Sequence, residues 1–525
     1  NENKIANDVA VSHFFQDTSC IDLHCTRLRT TKMILTLFLL LIVCQEGKNV
    51  EINPSKTIIW GPGLKPDKIT MRARYIFLQF IDLQGKNLTE SPGKDVFTVH
   101  IHGQTSLGHI CPVWTQILDC KDGSFIVRYK LHTTCFNLKL EIKMNVIYFL
   151  FNNLGPVYEE ECYCPNSSIN DWLESLECSK NYSQIHQDLA PFVNVDFNKI
   201  RQSIVQTYDR PGSVSLCHYV IKSNKIFRIC YGQHVGFKIF MDATLLSIVR
   251  KVILPDIEFF VNLGDWPLVP KGGNNYPIFS WCGSSDTKDI VMPTYDITES
   301  CLRAMEKVTL DMLSVQGNTD TPWEEKIEKV FWRGRDSCRE RLDLIDISRK
   351  HPDLFNVSIT NFFFFKDEMD KYGPGQSHIS FFNFFKYKYQ LNIDGTVAAY
   401  RFPYLLAGDS LVLKQNSKYY EFFYNDLVPG KHYVPVKKDL SDLVEKIVWA
   451  KGHDKEASQI AKHARQFARD NLLARDVLCY HVALFDEWSK RLKSKVKVLD
   501  NMEEVLQSKH SCKCYNDNAK FKEEL

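Results

Sequence analysis

Beyond about Cys164, strand-like apolar runs alternate with helical ones for more than 300 residues, and this pattern constrains the fold most. Strand candidates are Ile257–Asn262, Lys329–Trp332, Tyr389–Ile393 and Ser410–Leu413; helix candidates are Ala243–Val252, Leu440–Asp454 and Lys455–Asp470. Such alternation predicts open, mostly parallel sheets, whose sites lie at the carboxyl ends of the strands. Ahead of the Cys-rich junction Tyr158–Pro165 the texture differs. There the runs are short and alternating: Thr57–Trp60, Tyr75–Phe80, Val96–Ile101, Ser124–Tyr129 and Leu138–Ile142, punctuated by Gly and Pro. Strands at that spacing predict a β-sandwich. The reading is therefore multidomain: an N-terminal β-sandwich over residues 48–152, then an α/β region over 153–498. No internal repeat or low-complexity tract interrupts it.

A chain of 525 residues exceeds one ordinary core, so several domains are expected. Lys plus Arg (65) nearly balances Asp plus Glu (63), which argues against nucleic acid as partner, because phosphate-backbone binders concentrate positive charge. Seventeen cysteines fit a large secretory-pathway protein with several disulfides, and the odd count leaves at least one unpaired. Met33–Cys44 is an unbroken apolar run of signal-peptide length, too short to span a bilayer comfortably. Residues 33–47 are accordingly read as a signal peptide, and 1–32 as an upstream, non-native segment. The chain ends Lys522-Glu-Glu-Leu525, a variant of the KDEL retention address, making the KDEL receptor an expected partner. Residues 499–525 are expected to form a mobile tail. Sequons at Asn87, Asn166, Asn181 and Asn356 agree with an endoplasmic reticulum lumen location, and no other apolar stretch is long enough to cross a membrane.

Three segments can carry chemistry. Asp265 follows the apolar run ending at Asn262 and precedes Trp266-Pro267, which places a carboxylate where α/β folds put catalytic groups. Asp in a Gly-Asp context also commonly opens a turn. Arg333, Arg335, Arg339 and Arg341 surround a Gly turn at the start of a helical stretch, an arrangement suited to a diphosphate but equally to a solvated helix face. The segment Gly395-Thr396-Val397-Ala398-Ala399-Tyr400-Arg401 pairs small residues, which allow close approach of a ligand or close packing, with a guanidinium that can reach phosphate. No Asp-x-Asp occurs, so positive charge at a departing diphosphate is expected from side chains rather than from a metal. The Cys162/Cys164 and Cys512/Cys514 pairs lack the spacing of a zinc or thioredoxin-like site.

Together the stretches "LPDIEFFVNLGDWPLVP", "VFWRGRDSCRERL", "KYKYQLNIDGTVAAYRFPYLL", "YYEFFYNDLVPGKHYVPVKKDLSDL" and "ARDVLCYH" resemble the Rumi-related protein O-glucosyltransferases. Lys56–Leu64 and "FLQFIDLQGKNLTESPG" resemble a filamin-type repeat; with the KEEL tail they point to the KDEL-motif-containing branch. The resemblance implies a GT-B fold of two Rossmann-like domains, with the nucleotide-binding half at about 325–475. It implies inverting transfer of glucose or xylose from UDP-glucose or UDP-xylose, with no cofactor and no metal, to Ser in folded EGF-like repeats of the Notch and fibrillin type. Asp265 matches the catalytic base. Arg341 and Arg401 match arginines on the UDP diphosphate, and Thr396 to Tyr400 the donor-binding backbone. Arg335 takes a donor-contact position that carries Ser in another member. Cys479 matches a cysteine tied in the family to the N-terminal Cys-x-Cys, so Cys162 or Cys164 is its expected partner. The rival reading is a non-catalytic lumenal binding or chaperone-like module on the same fold.

Overall fold

The computed structural model describes residues 51–306, 310–510 and 512–515. The signal-peptide, upstream-segment and retention-signal assignments fall outside these residues.

Seven strands build the N-terminal part: β1 (Ile58–Trp60), β2 (Arg74–Gln79), β3 (Thr98–Gln104), β4 (Val113–Asp119), β5 (Ser124–Leu131), β6 (Phe136–Met144) and β7 (Ile147–Asn153). They form two antiparallel sheets, β1-β2-β5-β4 and β3-β6-β7. That is the four-plus-three strand order of an immunoglobulin-type sandwich. The rings of Phe80, Phe97 and Phe125 meet in a mutual cluster with centroids 5.0–5.7 Å apart. β4 and β7 were not anticipated in the sequence, and β7 carries no turn residue beyond Asn145 to announce it.

The two sheets differ in how they meet the rest of the chain. β3 and β7 alternate between exposed and partly buried residues, whereas β2 and β5 are buried on both faces. Tyr75, Phe77, Leu118 and Ile126 belong to one continuous core with the α/β region. Polar contacts seal the same boundary. Arg128 of β5 pairs with Asp311 at 3.0 Å, both side chains only 7% exposed, and its guanidinium also reaches Ser314 Oγ. Arg465 donates to the carbonyls of Cys120 and Gln316, and Arg469 lies over the Phe77 ring. The sandwich is built into the α/β body.

That body has two sheets. The first comprises β8 (Leu216–Lys222), β9 (Lys225–Tyr231), β10 (Ile257–Asn262), β11 (Ile278–Ser280) and β13 (Ile290–Val291) in the order β13-β11-β10-β8-β9, with the first three parallel. The second is wholly parallel: β14 (Ile327–Gly334), β15 (Phe355–Ile359), β16 (Tyr387–Asn392), β17 (Leu411–Gln415) and β19 (Val434–Val436), ordered β15-β14-β16-β17-β19. This 2-1-3-4-5 arrangement reverses direction between β14 and β16, where doubly wound sheets open a crevice for ligands. A two-stranded ladder, β12 (Gly283–Ser284) with β18 (Tyr419–Tyr420), joins the two α/β units. Gly283 is required there, since a Cβ would stand 2.4 Å from the Tyr420 ring.

Two expectations are corrected. Cys479 pairs with Cys178, while Cys162 and Cys164 pair with Cys512 and Cys514. The helix Ala474–Ser489 buries Cys479 in the core beside the segment carrying Cys178, whereas both Cys-x-Cys motifs lie in extended chain and match residue for residue. The described part of the tail is likewise held rather than mobile, over 503–510 and 512–515. Glu503–Val505 forms β20, which pairs with β9 through Arg228–Glu503 and Lys225–Glu504 contacts, before the two disulfides. Its strand is held by charge on a sheet edge, so no apolar run marks it. Two further disulfides are Cys111–Cys135 and Cys217–Cys230. Asn87, Asn166 and Asn181 are exposed. Asn356 instead lies in β15, its amide donating to Tyr387 Oη at 2.6 Å and accepting from Arg333 at 2.7 Å.

Candidate active site

A cleft of about 470 Å³ opens where the carboxyl ends of β10, β14 and β16 converge. All nine residues to which the resemblance assigns a role line it: Asp265, Arg335, Arg341, Thr396, Val397, Ala398, Ala399, Tyr400 and Arg401. The first α/β unit supplies Asp265, Tyr295 and Asp296; the second supplies the arginines and the backbone turn.

β10 (Ile-Glu-Phe-Phe-Val-Asn) is buried at every position, and Pro267 cannot continue a ladder, so the chain leaves the sheet with Asp265 at its mouth. The Asp265 carboxyl accepts from Tyr295 Oη at 3.4 Å. Burial raises its pKa above the usual aspartate value, while the Tyr295 hydroxyl and the Arg335 charge pull it back. The Asp265 carbonyl accepts from the Cys282 thiol at 3.3 Å. Tyr295 was missed in the sequence. It stands in an aromatic box with Phe240 at 4.9 Å, Phe237 at 5.3 Å, and Trp281 and Tyr400 at 5.6 Å. Only the aromatic pair Tyr295/Tyr400 straddling two sheets would have revealed it, and no local pattern encodes that.

The arginines divide the work. Arg341, 6% exposed, donates to the carbonyls of Asp394 (2.8 Å), Arg335 (2.9 Å) and Ile393 (3.2 Å) and to Ser337 Oγ (3.2 Å). It braces the loops after β14 and β16 against each other while its charge faces the cleft. Gly395 makes this brace possible, because a Cβ there would meet the Arg341 guanidinium at 3.2 Å. Arg401 donates to the Arg333 carbonyl, and burial together with the Arg341 charge lowers its pKa to about 10, against the pull of Asp296. It is still protonated near neutrality. Arg335 is exposed and within electrostatic reach of Asp265. Of the other two in the cluster, Arg333 lines the cleft but commits its guanidinium to Asn356, whereas Arg339 lies outside the lining and pairs with Glu368 on the exposed helix face. The expected four-arginine anion site is thus two arginines plus Arg401.

Val397, Ala398 and Ala399 are buried to within 7%, and the first two pack against Cys282, so their contribution to the wall is largely backbone. Gly395 N donates to Val397 O at 2.9 Å, closing the turn. His378 and Ile379 reach the same cleft from an exposed loop whose Gln376 N–H donates to Ile359 O at 2.9 Å. Asp296, the second carboxylate of the cleft, accepts from Tyr404 Oη at 2.7 Å.

Among the described residues, one group of ligand type that could hold a metal, Glu159, Cys162, His510 and Cys512, lies elsewhere, and its two sulfurs are joined in a disulfide. No described helix is long and apolar enough to cross a membrane.

The family model of Glycosyl transferase family 90 matches residues 173–525. Protein O-glucosyltransferase 2 of Danio rerio is 50% identical over 477 residues, covering 90% of this chain and 94% of that protein. Protein O-glucosyltransferase 3 of Homo sapiens is 42% identical over 496 residues, covering 92% and 97%. Protein O-glucosyltransferase 1 of Homo sapiens is 31% identical over 346 residues, 62% of this chain and 86% of that protein. With two thirds of its length matched by one family, this chain belongs to glycosyl transferase family 90.

Proposed function

We propose that the protein is an inverting O-glycosyltransferase of the endoplasmic reticulum lumen. It moves glucose or xylose from its UDP-sugar to a Ser hydroxyl of a folded EGF-like repeat, without a metal. The names of its relatives support the O-glucosyl transfer. The observation that carries the reading is the meeting of one carboxylate, Asp265, with the Arg335, Arg341 and Arg401 charges in a single cleft between two α/β units. Two such units facing across a cleft suit the GT-B architecture, and the seven-stranded sandwich suits a filamin-type repeat.

The chemistry follows from the placement. The acceptor Ser Oγ lies between Asp265 and the anomeric carbon. As the Oγ–C1 bond forms, the Oγ–H proton passes to the Asp265 carboxylate and the C1–O bond to the diphosphate breaks, inverting the centre. Negative charge grows on UDP, and Arg401, Arg341 and Arg335 stabilise it, aided by backbone amides of the 395–400 turn. Partial burial raises the basicity of Asp265, and Tyr295 fixes its orientation.

The test is incubation with UDP-glucose or UDP-xylose and a folded EGF-like repeat, in chelator, followed by intact mass. The expected result is a gain of one sugar on the repeat, undiminished by chelation. No adduct with any UDP-sugar would favour the binding-module reading, and a strict need for a divalent ion would remove the metal-free mechanism.

A further inference from the structure

Asp265 stands in a loop that no regular element supports, yet its backbone is held on both sides by three buried polar side chains, one from each parallel strand of the first sheet or its approach. Asn262, the last residue of β10 and fully buried, accepts from Gly264 N at 2.8 Å; its amide donates to Trp266 O at 2.5 Å and to Ser280 Oγ at 3.1 Å. Ser280, the last residue of β11, donates to Asp289 Oδ1 at 2.7 Å. Asp289, just ahead of β13 and 1% exposed, accepts from Leu268 N at 2.7 Å and from Val269 N at 2.9 Å. The chain Asn262–Ser280–Asp289 therefore fixes the backbone at 264, 266, 268 and 269 while touching nothing in the cleft, which none of the three lines.

Four of these bonds are made to loop backbone groups and the two through Ser280 tie the holding side chains together, so the network specifies one loop conformation rather than adding general stability. Proton transfer to a base is steep in geometry, and displacement of a catalytic group by about 1 Å costs on the order of 10²-fold in rate.

We propose that Asn262, Ser280 and Asp289 are positioning residues that set the Asp265 loop, and through it the line from carboxylate to acceptor oxygen. This rests on Asp265 being the base. The donor arginines belong to the other α/β unit, so the network is expected to govern turnover without governing UDP binding.

The test uses the full chain with Asn262→Asp and Asp289→Asn, both close to isosteric, and Ser280→Ala as a milder break. Asn262→Asp keeps the acceptor for Gly264 but loses both amide donations; Asp289→Asn weakens the grip on 268 and 269. Turnover, donor KM, UDP affinity by calorimetry and thermal midpoint are measured beside Asp265→Asn. The expected outcome is kcat lowered about 10- to 100-fold in Asn262→Asp and Asp289→Asn, with donor KM and UDP affinity within about twofold of the parent. If either of these fails to fold, Ser280→Ala carries the test, with a kcat loss of about three- to tenfold at unchanged UDP affinity. Parental kcat in the folded variants overturns the proposal, as does a loss of UDP affinity equal to the loss of kcat. Normal turnover by Asp265→Asn would instead remove the base assignment on which it rests, and the two failures are read from different variants.

Discussion

At the scale of single residues, the cleft separates a proton acceptor from a set of positive charges, and each has its own observable. As the proposed base, Asp265 has to be ionised, so activity is expected to fall as pH drops through its pKa, which burial holds above the usual aspartate value. Tyr295 and Arg335 both favour the carboxylate. Removing either raises that pKa further, so Tyr295→Phe and Arg335→Ala are expected to move the acid limb of kcat/KM to higher pH; a limb that stays or moves down contradicts the assignment. Arg401→Ala removes a half-buried charge from the proposed donor wall and is expected to weaken UDP binding about 10- to 100-fold, as calorimetry would show. The sequence made Asp265, Arg341 and Arg401 legible through strand ends and charge beside small residues. It could not show that Arg333 commits its guanidinium to Asn356 or that Arg339 lies outside the cleft, because neighbours along a turn diverge in direction. Nor could it show Tyr295, whose partner Asp265 lies 30 residues away.

At the scale of elements, strands buried on both faces were the easiest to read: β10 appears with the bounds its apolar run marks, and β14, β16 and β17 to within three residues. Short pairings held by backbone contact or charge were not readable, which is why β12, β18 and β20 have no counterpart in the pattern. The β12–β18 ladder is the most testable of these, because it joins the units that supply the proposed base and the arginines. Gly283→Val drives a side chain into the Tyr420 ring and is expected to raise donor KM while leaving secondary structure intact by circular dichroism. Unchanged KM would show that the ladder does not set the cleft.

At the scale of the whole molecule, the sandwich reads in sequence as a separable module and Tyr75–Phe80 as one of its alternating runs; its first four residues, Tyr75-Ile-Phe-Leu78, do not in fact alternate, and a strand with both faces apolar is covered on both. Deleting residues through Asn152 would expose Leu118-facing and Tyr75-facing core and strand Asp311, and is expected to give insoluble or unfolded protein rather than a free catalytic domain. Asp311→Ala probes the same boundary more gently, leaving Arg128 buried without its partner at a cost of about 3–5 kcal/mol, measurable by denaturant unfolding. Stability equal to the parent would mean that the sandwich is not braced through this pair.

The account turns on one carboxylate taking the acceptor proton in a cleft whose charge serves the nucleotide. Its most direct test is single-turnover transfer from UDP-sugar to a folded EGF-like repeat by Asp265→Asn, with UDP affinity measured on the same preparation. The account predicts UDP bound as in the parent and transfer slowed about 10²–10⁴-fold. Parental transfer rates with UDP bound normally would contradict it.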